Sequence, residues 1–423
     1  MMSPSKVVII GGGFAGLNAA KGLGNVKGAE VTLLDERNHH LFQPLLYQVA
    51  MAGLSPAEIS APIRGLLSRY QNIRVLRERV TSVETQHQQV RTQDGVYPYD
   101  YLVLASGARH SYFGHNDWEE HAPGLKTLEQ ATEIRRRVLT AFEEAEKEED
   151  PATQRALLTF AIVGGGPTGV ELAGAIGEMS RYTLARDFRR IDPKLARVVL
   201  IEAGPRILPS FAESLASRAV RDLESMGVQV WTQSPVTEID EKGVEVGPER
   251  LESRTVLWAA GVQPSPLDLD VEPPVDRQGR LIVEPDLSLP GCPNVFAAGD
   301  MTHTPGPDGA PLPGMAPVAL QQGVYLARRI RAEIRGHSES APFRYRDKGQ
   351  MATIGRRRAV LQAGRIRLGG LVAWFAWLMV HIYYLVGFKN RLFVVLQWAW
   401  AYLTFRRGAR LIVGRRWRFY PDD

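Results

Sequence analysis

The stretch Val7-Val8-Ile9-Ile10-Gly11-Gly12-Gly13-Phe14-Ala15-Gly16 decides the fold: an apolar, β-branched run stops abruptly in glycines spaced as Gly11, Gly13 and Gly16. The pattern predicts a strand, a tight turn and a helix starting at Leu17. Gly11 permits the turn, and Gly13 lets the backbone approach a diphosphate. Gly16 allows the helix to pack close on the strand, so that free N–H groups and the positive dipole end face the phosphates. A second strand, Val31-Thr32-Leu33-Leu34, ends in Asp35, where a carboxylate is placed to hydrogen-bond a ribose hydroxyl. With strand, helix and terminal acid in register, the stretch reads as a dinucleotide site rather than a purely structural turn.

The pattern returns downstream. Phe160-Ala161-Ile162-Val163 runs into Gly164-Gly165-Gly166-Pro167-Thr168-Gly169, and Val198-Val199-Leu200-Ile201 ends in Glu202. Likewise Tyr101-Leu102-Val103-Leu104, closing in Ala105-Ser106-Gly107, is echoed by Thr255-Val256-Leu257-Trp258, closing in Ala259-Ala260-Gly261. Gly11 and Gly164 are 153 residues apart, Gly107 and Gly261 154. Two matched elements at one offset indicate duplication of a whole nucleotide-binding unit. The two terminal acids are 167 apart, so the second unit carries about 14 more residues, expected around 181–193. Short strands are predicted at 73–75, 80–83 and 90–92, and a charged helix over 128–149 leads through Asp150-Pro151 to the second copy. Later a buried strand at 294–297 delivers Gly299-Asp300. A Gly/Pro-rich loop over 303–313, a helix over about 316–335 and a polar linker at 336–340 follow.

A chain of 423 residues exceeds one ordinary core, and 44% hydrophobic with 23% charged residues excludes wholesale disorder. The single cysteine, Cys292, removes internal disulfides, CxxC chemistry and cysteine metal sites, and fits a reducing compartment. Adjacent His39 and His40 point apart and have no further ligand cluster, so no metal is expected. The opening residues enter the first strand without the apolar region of a secretory leader, and the site is expected in the cytoplasm.

The net charge of +5 hides an asymmetry. From Arg344 onward there are 16 Lys/Arg against Asp347, Asp422 and Asp423, a net +13 that leaves −8 on the rest. A basic tail implies an anionic partner, nucleic acid or phospholipid. Five of the eight tryptophans, Trp374, Trp377, Trp398, Trp400 and Trp417, also lie there, and interfacial indoles favour lipid over nucleic acid. Residues 368–388 and 392–405 hold no Lys, Arg, Asp or Glu. The first run has the length of a membrane span, but His381, Tyr383, Tyr384 and the tryptophans favour helices lying in one leaflet, with a span or a buried dimer face as alternatives.

Taken in order, Gly11/Gly13/Gly16, Ser106-Gly107, Gly164/Gly166/Gly169 and Gly299-Asp300 resemble the two-dinucleotide-binding-domain flavoproteins. Within these the chain is most similar to the type II NADH dehydrogenases. That resemblance covers nearly the whole chain, through 38–48, 164–174, the Ala316-Pro317-Val318-Ala319-Leu320-Gln321-Gln322-Gly323 segment and the Trp-rich tail. It implies an α/β fold with two Rossmann-like, glutathione-reductase-like domains plus C-terminal membrane-associating helices. The expected division is an FAD domain at 1–125 and 263–340, an NADH domain at 126–262 and a membrane-anchoring region at 341–423.

The resemblance further implies FAD contacts from Gly11, Gly13, Phe14, Ala15, Gly16, Asp35, Glu36, Ser106, Gly107, Asp300 and Ala319. It implies NADH contacts from Gly164, Gly166, Thr168, Gly169, Glu171, Glu202 and Gly261, with the 38–48 segment beside the flavin ring. Glu202 would repel a 2′-phosphate and select NADH over NADPH. Catalytic roles fall to Glu171, in the electron and proton path, and Gln321, at the quinone side of the flavin. Pro317 departs from the family's pattern, which has glutamine there. The expected activity is non-pumping transfer of two electrons from NADH to a membrane quinone, ubiquinone or menaquinone, in a respiratory chain. The enzyme would act at the cytoplasmic face of the inner membrane, as a peripheral or monotopic protein on phospholipid, with a homodimer as the candidate assembly. A sulfide:quinone oxidoreductase or disulfide reductase needs a cysteine pair that Cys292 alone cannot supply. A membrane-bound NADH sensor without turnover, or another quinone reductase of the superfamily, remains the alternative.

Overall fold

The computed structural model describes residues 3–307, 309–337, 341–404 and 409–414. Ser338, Glu339 and Ser340 of the expected linker, and Phe405, Trp417, Asp422 and Asp423 of the tail, lie outside the described residues.

In chain order, the elements that position the site begin with β1 (Ser5–Ile10), α1 (Phe14–Leu23), β2 (Ala29–Asp35), β3 (Ile73–Arg77) and β4 (Tyr101–Leu104). The long helix α2 (Leu128–Lys147) precedes β5 (Thr159–Val163), α3 (Pro167–Glu178), β6 (Arg197–Ile201), β7 (Val228–Trp231) and β8 (Thr255–Trp258). Then come β9 (Ser288–Leu289), β10 (Cys292–Ala297), α4 (Ala316–Ile334), β11 (Gln350–Gly355), β12 (Arg358–Ala363) and β13 (Ile366–Gly369). Two helices, α5 (Leu371–Tyr384) and α6 (Phe388–Thr404), follow.

The chain forms two compact units: Met1–Leu41, Ser60–His110 and Val262–Lys348 in one, Phe42–Ile59, Ser111–Gly261 and Gly349–Asp423 in the other. The first is built on a sheet ordered β9-β10-β4-β1-β2-β3, the second on a sheet ordered β7-β6-β5-β8. The duplication read from the glycine spacing is visible in these orders, since β3-β2-β1-β4 and β7-β6-β5-β8 are the same arrangement. Registers agree as well: Val7 pairs with Val31 on one side and Tyr101 on the other, and its counterpart Phe160 pairs with Val198 and Thr255. Each copy also inserts antiparallel strands before its last parallel strand, at Val80–Glu84 to Val96–Pro98 and at Val236–Asp240 to Glu249–Glu252. The central strands are apolar over residues 7–10 and 160–163 because both faces are covered, and Val7, Ile9, Phe160 and Ile162 are fully buried.

In the first unit α1 lies against α4 with almost no space between backbones. A Cβ on Gly22 would sit 2.5 Å from the Cβ of Ala327, and one on Gly323 would sit 2.1 Å from the carbonyl oxygen of Ala15. In the second unit α3 runs into a π-helical turn at Met179–Thr183, so the extra residues fall where the unequal spacing of the acids put them. Asp150 caps a short helix, Pro151–Leu157, that the sequence reading treated as connection; its carboxylate accepts the Thr153 N–H at 2.8 Å.

The tail departs most from expectation. Residues 350–369 form a three-stranded antiparallel sheet, β11-β12-β13, that the sequence reading did not foresee. The charge-free run at 368–388 is therefore not one helix. It begins in β13, turns at Gly370 with φ +73, and gives only the 14 residues of α5 before the extended Leu385 and Gly387 at φ +91. At 1.5 Å per residue α5 spans about 21 Å, short of the ~30 Å hydrocarbon layer. Among the described residues no helix is long and apolar enough to cross a membrane. Both helices expose large apolar side chains, including Phe375, Met379, Tyr383, Phe393 and Trp400.

The α1–α4 contact yields a direct test. Gly323→Val should lower the stability of the protein by about 1–3 kcal/mol, because any side chain there collides with the α1 backbone. Val324→Ala, one residue on and exposed, should change it by less than about 0.5 kcal/mol. Thermal melts of the two variants make the comparison.

Candidate active site: two nucleotide cradles and an acid-lined pocket

In the first unit the end of β1 turns at Gly11, whose φ of +99 only glycine adopts readily and whose Cβ would meet the Ala105 oxygen at 2.2 Å. A Cβ on Gly16 would lie 1.9 Å from the Gly11 oxygen, whereas one on Gly13 would meet nothing within 4 Å. The turn is thus closed at its first and third glycines and open at the second, and α1 starts at Gly13 without a side-chain cap. That open, uncapped helix start is the cradle a diphosphate requires. Asp35 ends β2 and accepts the N–H groups of Gly12 at 2.6 Å and Arg37 at 2.7 Å. Burial raises the Asp35 carboxyl above its ordinary value, and those two N–H groups oppose the rise. Glu36 beside it is exposed and paired with Arg37 at 2.7 Å.

The same crevice gathers the later residues of the unit. The Ala15 and Ala319 Cβ atoms lie 3.8 and 3.7 Å from where a Cβ on Gly299 would be, so the start of α4, the start of α1 and the Gly299-Asp300 turn converge. The Ser106 hydroxyl faces the Met301 sulfur at 3.4 Å, and Gly107 turns at φ +72 with open space beside it. The Phe14 ring stands edge-on to His40 at 5.1 Å. His40 bonds the Gly12 carbonyl at 2.9 Å, and burial pushes its imidazole down to about 4, so it backs the turn as a neutral ring.

One residue here escaped the sequence reading. Gln322 is fully buried, accepts the Gly299 N–H at 2.7 Å and donates to Thr304 Oγ1 at 2.9 Å. Thr302 Oγ1 donates to the Gly299 carbonyl at 2.9 Å, so the turn that presents Asp300 is held at both its backbone groups. The neighbouring Gln321 behaves differently. Its amide donates to the Arg346 carbonyl at 3.0 Å and accepts the Arg346 N–H at 3.0 Å, which leaves one N–H and one lone pair for another partner.

The second unit repeats the cradle. Gly164 turns at φ +110 with its Cβ direction 2.6 Å from the Ala259 carbonyl carbon, Gly169 closes on the Gly164 oxygen at 1.8 Å, and Gly166 is open. Helix α3 starts at Gly166 without a side-chain cap and carries Thr168 in its first turn. Glu202 ends β6 and accepts the N–H groups of Gly165 at 2.7 Å and Gly204 at 2.6 Å, the counterpart of Asp35 on Gly12. Gly261, after β8, turns at φ +72 like Gly107.

Glu171 sits one turn further along α3, beyond the first turn where the helix dipole would account for it. It lines a pocket of about 120 Å³ together with Tyr47, Gln48, Glu178, Trp374, Trp377 and Trp398. Strand β11 closes one side: a Cβ on Gly174 would lie 1.7 Å from the Ile354 oxygen, and the Thr353 N–H points at Glu171 Oε1 from 3.5 Å. Desolvation among these groups pushes the Glu171 carboxyl up to about 8, opposed by the weak Thr353 bond. Glu171 is therefore a neutral acid at pH 7. Glu178, on the same helix face, pairs with Arg356 at 3.7 Å instead. Trp398 donates to the Gln48 side chain at 2.7 Å, and His381 stacks on Trp377 at 4.2 Å. A buried acid in an aromatic pocket can hold a carbonyl oxygen and hand it a proton. Among the described residues no three His, Cys, Asp or Glu side chains form a group that would hold a metal ion.

Comparison with known proteins bears on the same residues. Residues 5–323 match the pyridine nucleotide-disulphide oxidoreductase family, and residues 348–407 match the NDH2 C-terminal domain. The chain is 43% identical over 426 residues to the type II NADH:quinone oxidoreductase Ndh of Mycobacterium tuberculosis, covering 97% of this chain and 91% of that protein. It is 30% identical over 360 residues to the type II NADH:quinone oxidoreductase of Staphylococcus haemolyticus, covering 83% and 87%. In fold it matches NDH2 of Plasmodium falciparum in complex with NADH, with a TM-score of 0.88 at 20% identity over 97% of this chain and all of that one. It matches the sulfide:quinone oxidoreductase of Aquifex aeolicus less closely, with a TM-score of 0.72 at 21% identity over 92% and 91%. The chain belongs to the pyridine nucleotide-disulphide oxidoreductase family and, within it, to the type II NADH:quinone oxidoreductases.

Proposed function

We propose that this chain oxidises NADH at its second unit and passes two electrons, by way of FAD held in its first unit, to a membrane quinone without pumping protons. The observation that carries the reading is the repeated cradle. Gly13 and Gly166 are open where their neighbours are closed, and each turn is tied to an acid at the next strand end. FAD, when bound, supplies the hydride acceptance and electron release, and the chain supplies binding, orientation and protons.

In this reading Gly11 to Gly16, with Phe14 and Ala15, hold the FAD diphosphate. Asp35 and Glu36 hold the ribose, and Ser106, Gly107, Asp300 and Ala319 hold the flavin half. Gly164, Gly166, Thr168 and Gly169 hold the diphosphate of NADH, Glu202 its adenosine ribose, and Gly261 its nicotinamide end. Glu171 receives the quinone oxygen in the tryptophan-lined pocket and gives up its proton there. Gln321, in the first unit, has an amide N–H left to offer on the quinone side of the flavin. The basic, tryptophan-rich tail lays α5 and α6 on the phospholipid of the cytoplasmic face, with apolar side chains in the leaflet and cations at its headgroups.

The Glu202 carboxylate should make the enzyme prefer NADH, because a 2′-phosphate would meet its charge. Glu202→Ala should narrow the ratio of kcat/KM for NADH over NADPH, and an unaltered enzyme that used both equally would remove the argument.

Glu171 predicts a pH profile. The carboxyl donates a proton only while protonated, so kcat with a soluble quinone should fall as pH rises through about 8. Glu171→Gln should lower kcat roughly 100-fold and abolish that limb, as expected for loss of one general acid.

Release from membranes separates charge from burial. Attraction of Lys and Arg to lipid is screened at high salt, whereas burial of the exposed Phe375, Met379, Phe393 and Trp400 is not. Salt washing should leave most of the protein on the membrane and detergent should remove it; complete release by salt would refute the embedded apolar face.

A further inference from the structure

Residues 111–118 of the second unit form a short aromatic frame. Tyr112 donates to the Ala122 carbonyl at 2.8 Å and lies 5.0 Å from Trp258; Trp258 donates to the Ser111 carbonyl at 3.0 Å. Trp118 donates to Glu238 at 3.2 Å and stands edge-on to Trp258 at 5.9 Å. Tyr112, Trp118 and Trp258 are buried, but Phe113 leaves 68% of its surface exposed. Its backbone is left-handed, φ +53, followed by Gly114 at φ +103. A bulky residue in that region is an outlier, and such strain persists only where the surroundings impose it, most often at functional sites.

The exposed ring is not placed at random. A Cβ on Gly261 would meet Phe113 Cζ at 2.5 Å, so the ring lies directly on the glycine that ends the β8 segment. The duplication supplies an internal control: Gly107, the equivalent glycine of the first unit with the same φ of +72, has nothing within 4 Å in that direction. One copy leaves this position open and the other covers it with an aromatic face.

Sheet order tells which part of a ligand would meet that face. Along β6-β5-β8, Glu202 marks the end of β6, the Gly164–Gly169 turn the end of β5, and Gly261 the end of β8. A dinucleotide with its adenosine ribose at Glu202 and its diphosphate at Gly166 extends its second nucleoside toward β8. We infer that Phe113 is a positioning residue whose ring packs against the nicotinamide riboside of NADH and orients it at the mouth of the second unit. The inference rests on reading that unit as the NADH site. Offset or edge-on packing of two rings supplies orientation as well as affinity, and a ring already fixed by Trp258 and Gly261 loses little freedom on binding.

The test uses the full-length flavoenzyme with a soluble quinone. Phe113→Leu, which keeps apolar bulk but loses the ring, should raise KM for NADH roughly three- to tenfold, with a smaller effect on kcat, and weaken NAD⁺ binding in parallel. Phe113→Tyr should restore both. If Phe113→Leu fails to fold, Phe113→Gly, which relieves the backbone strain, carries the same comparison. A KM for NADH within twofold of the unaltered enzyme, whatever happens to the melting temperature, would show that the ring serves only to pack on Trp258 and would overturn the inference. If the unaltered enzyme itself fails to bleach its flavin with NADH, the NADH reading of the unit falls first, and this inference with it.

Discussion

In both units the first and third glycines of the turn meet, the Gly11 oxygen occupying the space of a Gly16 side chain and the Gly164 oxygen that of Gly169. A strand cannot pass into a helix this abruptly with any β-carbon at those two points. Everything that makes the cradles useful follows from the abruptness. The helix begins immediately beyond the carboxyl edge of the sheet, no side chain caps its start, and the acid at the end of the next strand reaches the N–H of Gly12 or Gly165, the glycine directly after the first of each turn. Both acids spend one oxygen on that glycine and the other on a nearby N–H, which orients the carboxylates from the protein side.

The first unit adds a second layer of support that the second unit lacks. Its β4 strand is flanked by β10, whose end carries the Gly299-Asp300 turn, and the buried amide of Gln322 fixes that turn through Gly299. In the second unit no further strand, among the described residues, follows β8 in the sheet; Gly124 bridges its edge at Trp258, and the aromatic frame around Trp258 borders it. Duplication thus provided two equal halves, and later elements made them different.

Much of this was legible because it is local. The glycine spacings, the strand-end acids and the equal offsets are properties of short segments whose backbone geometry admits few alternatives, and the sheet orders agree with them element by element. The small sheet at 350–369 was not legible. Its strands are short, a run of Arg356-Arg357-Arg358 hides the alternation, and its turn relies on a left-handed Arg357 that no sequence rule demands. The Glu171 pocket was half legible: the acid stood out within its motif, but its walls come from Tyr47 and Gln48, more than 120 residues before it, and from Trp374, Trp377 and Trp398, more than 200 after it. Gln322 was hidden by its neighbour, because two adjacent glutamines on a helix look alike until one is seen pointing into the core.

The Gly174–Ile354 contact has a bearing on how such a chain can change over generations. With 1.7 Å between the oxygen of β11 and the place a side chain would begin, α3 and the C-terminal sheet are cut to one another's surface. A tail of this kind is not an interchangeable tag that recombination can trade between lineages while the nucleotide-binding body stays as it was. Helix and tail have to be inherited as a matched pair. An ancestor that acquired the tail must have had, or gained with it, a glycine at that one point on the helix.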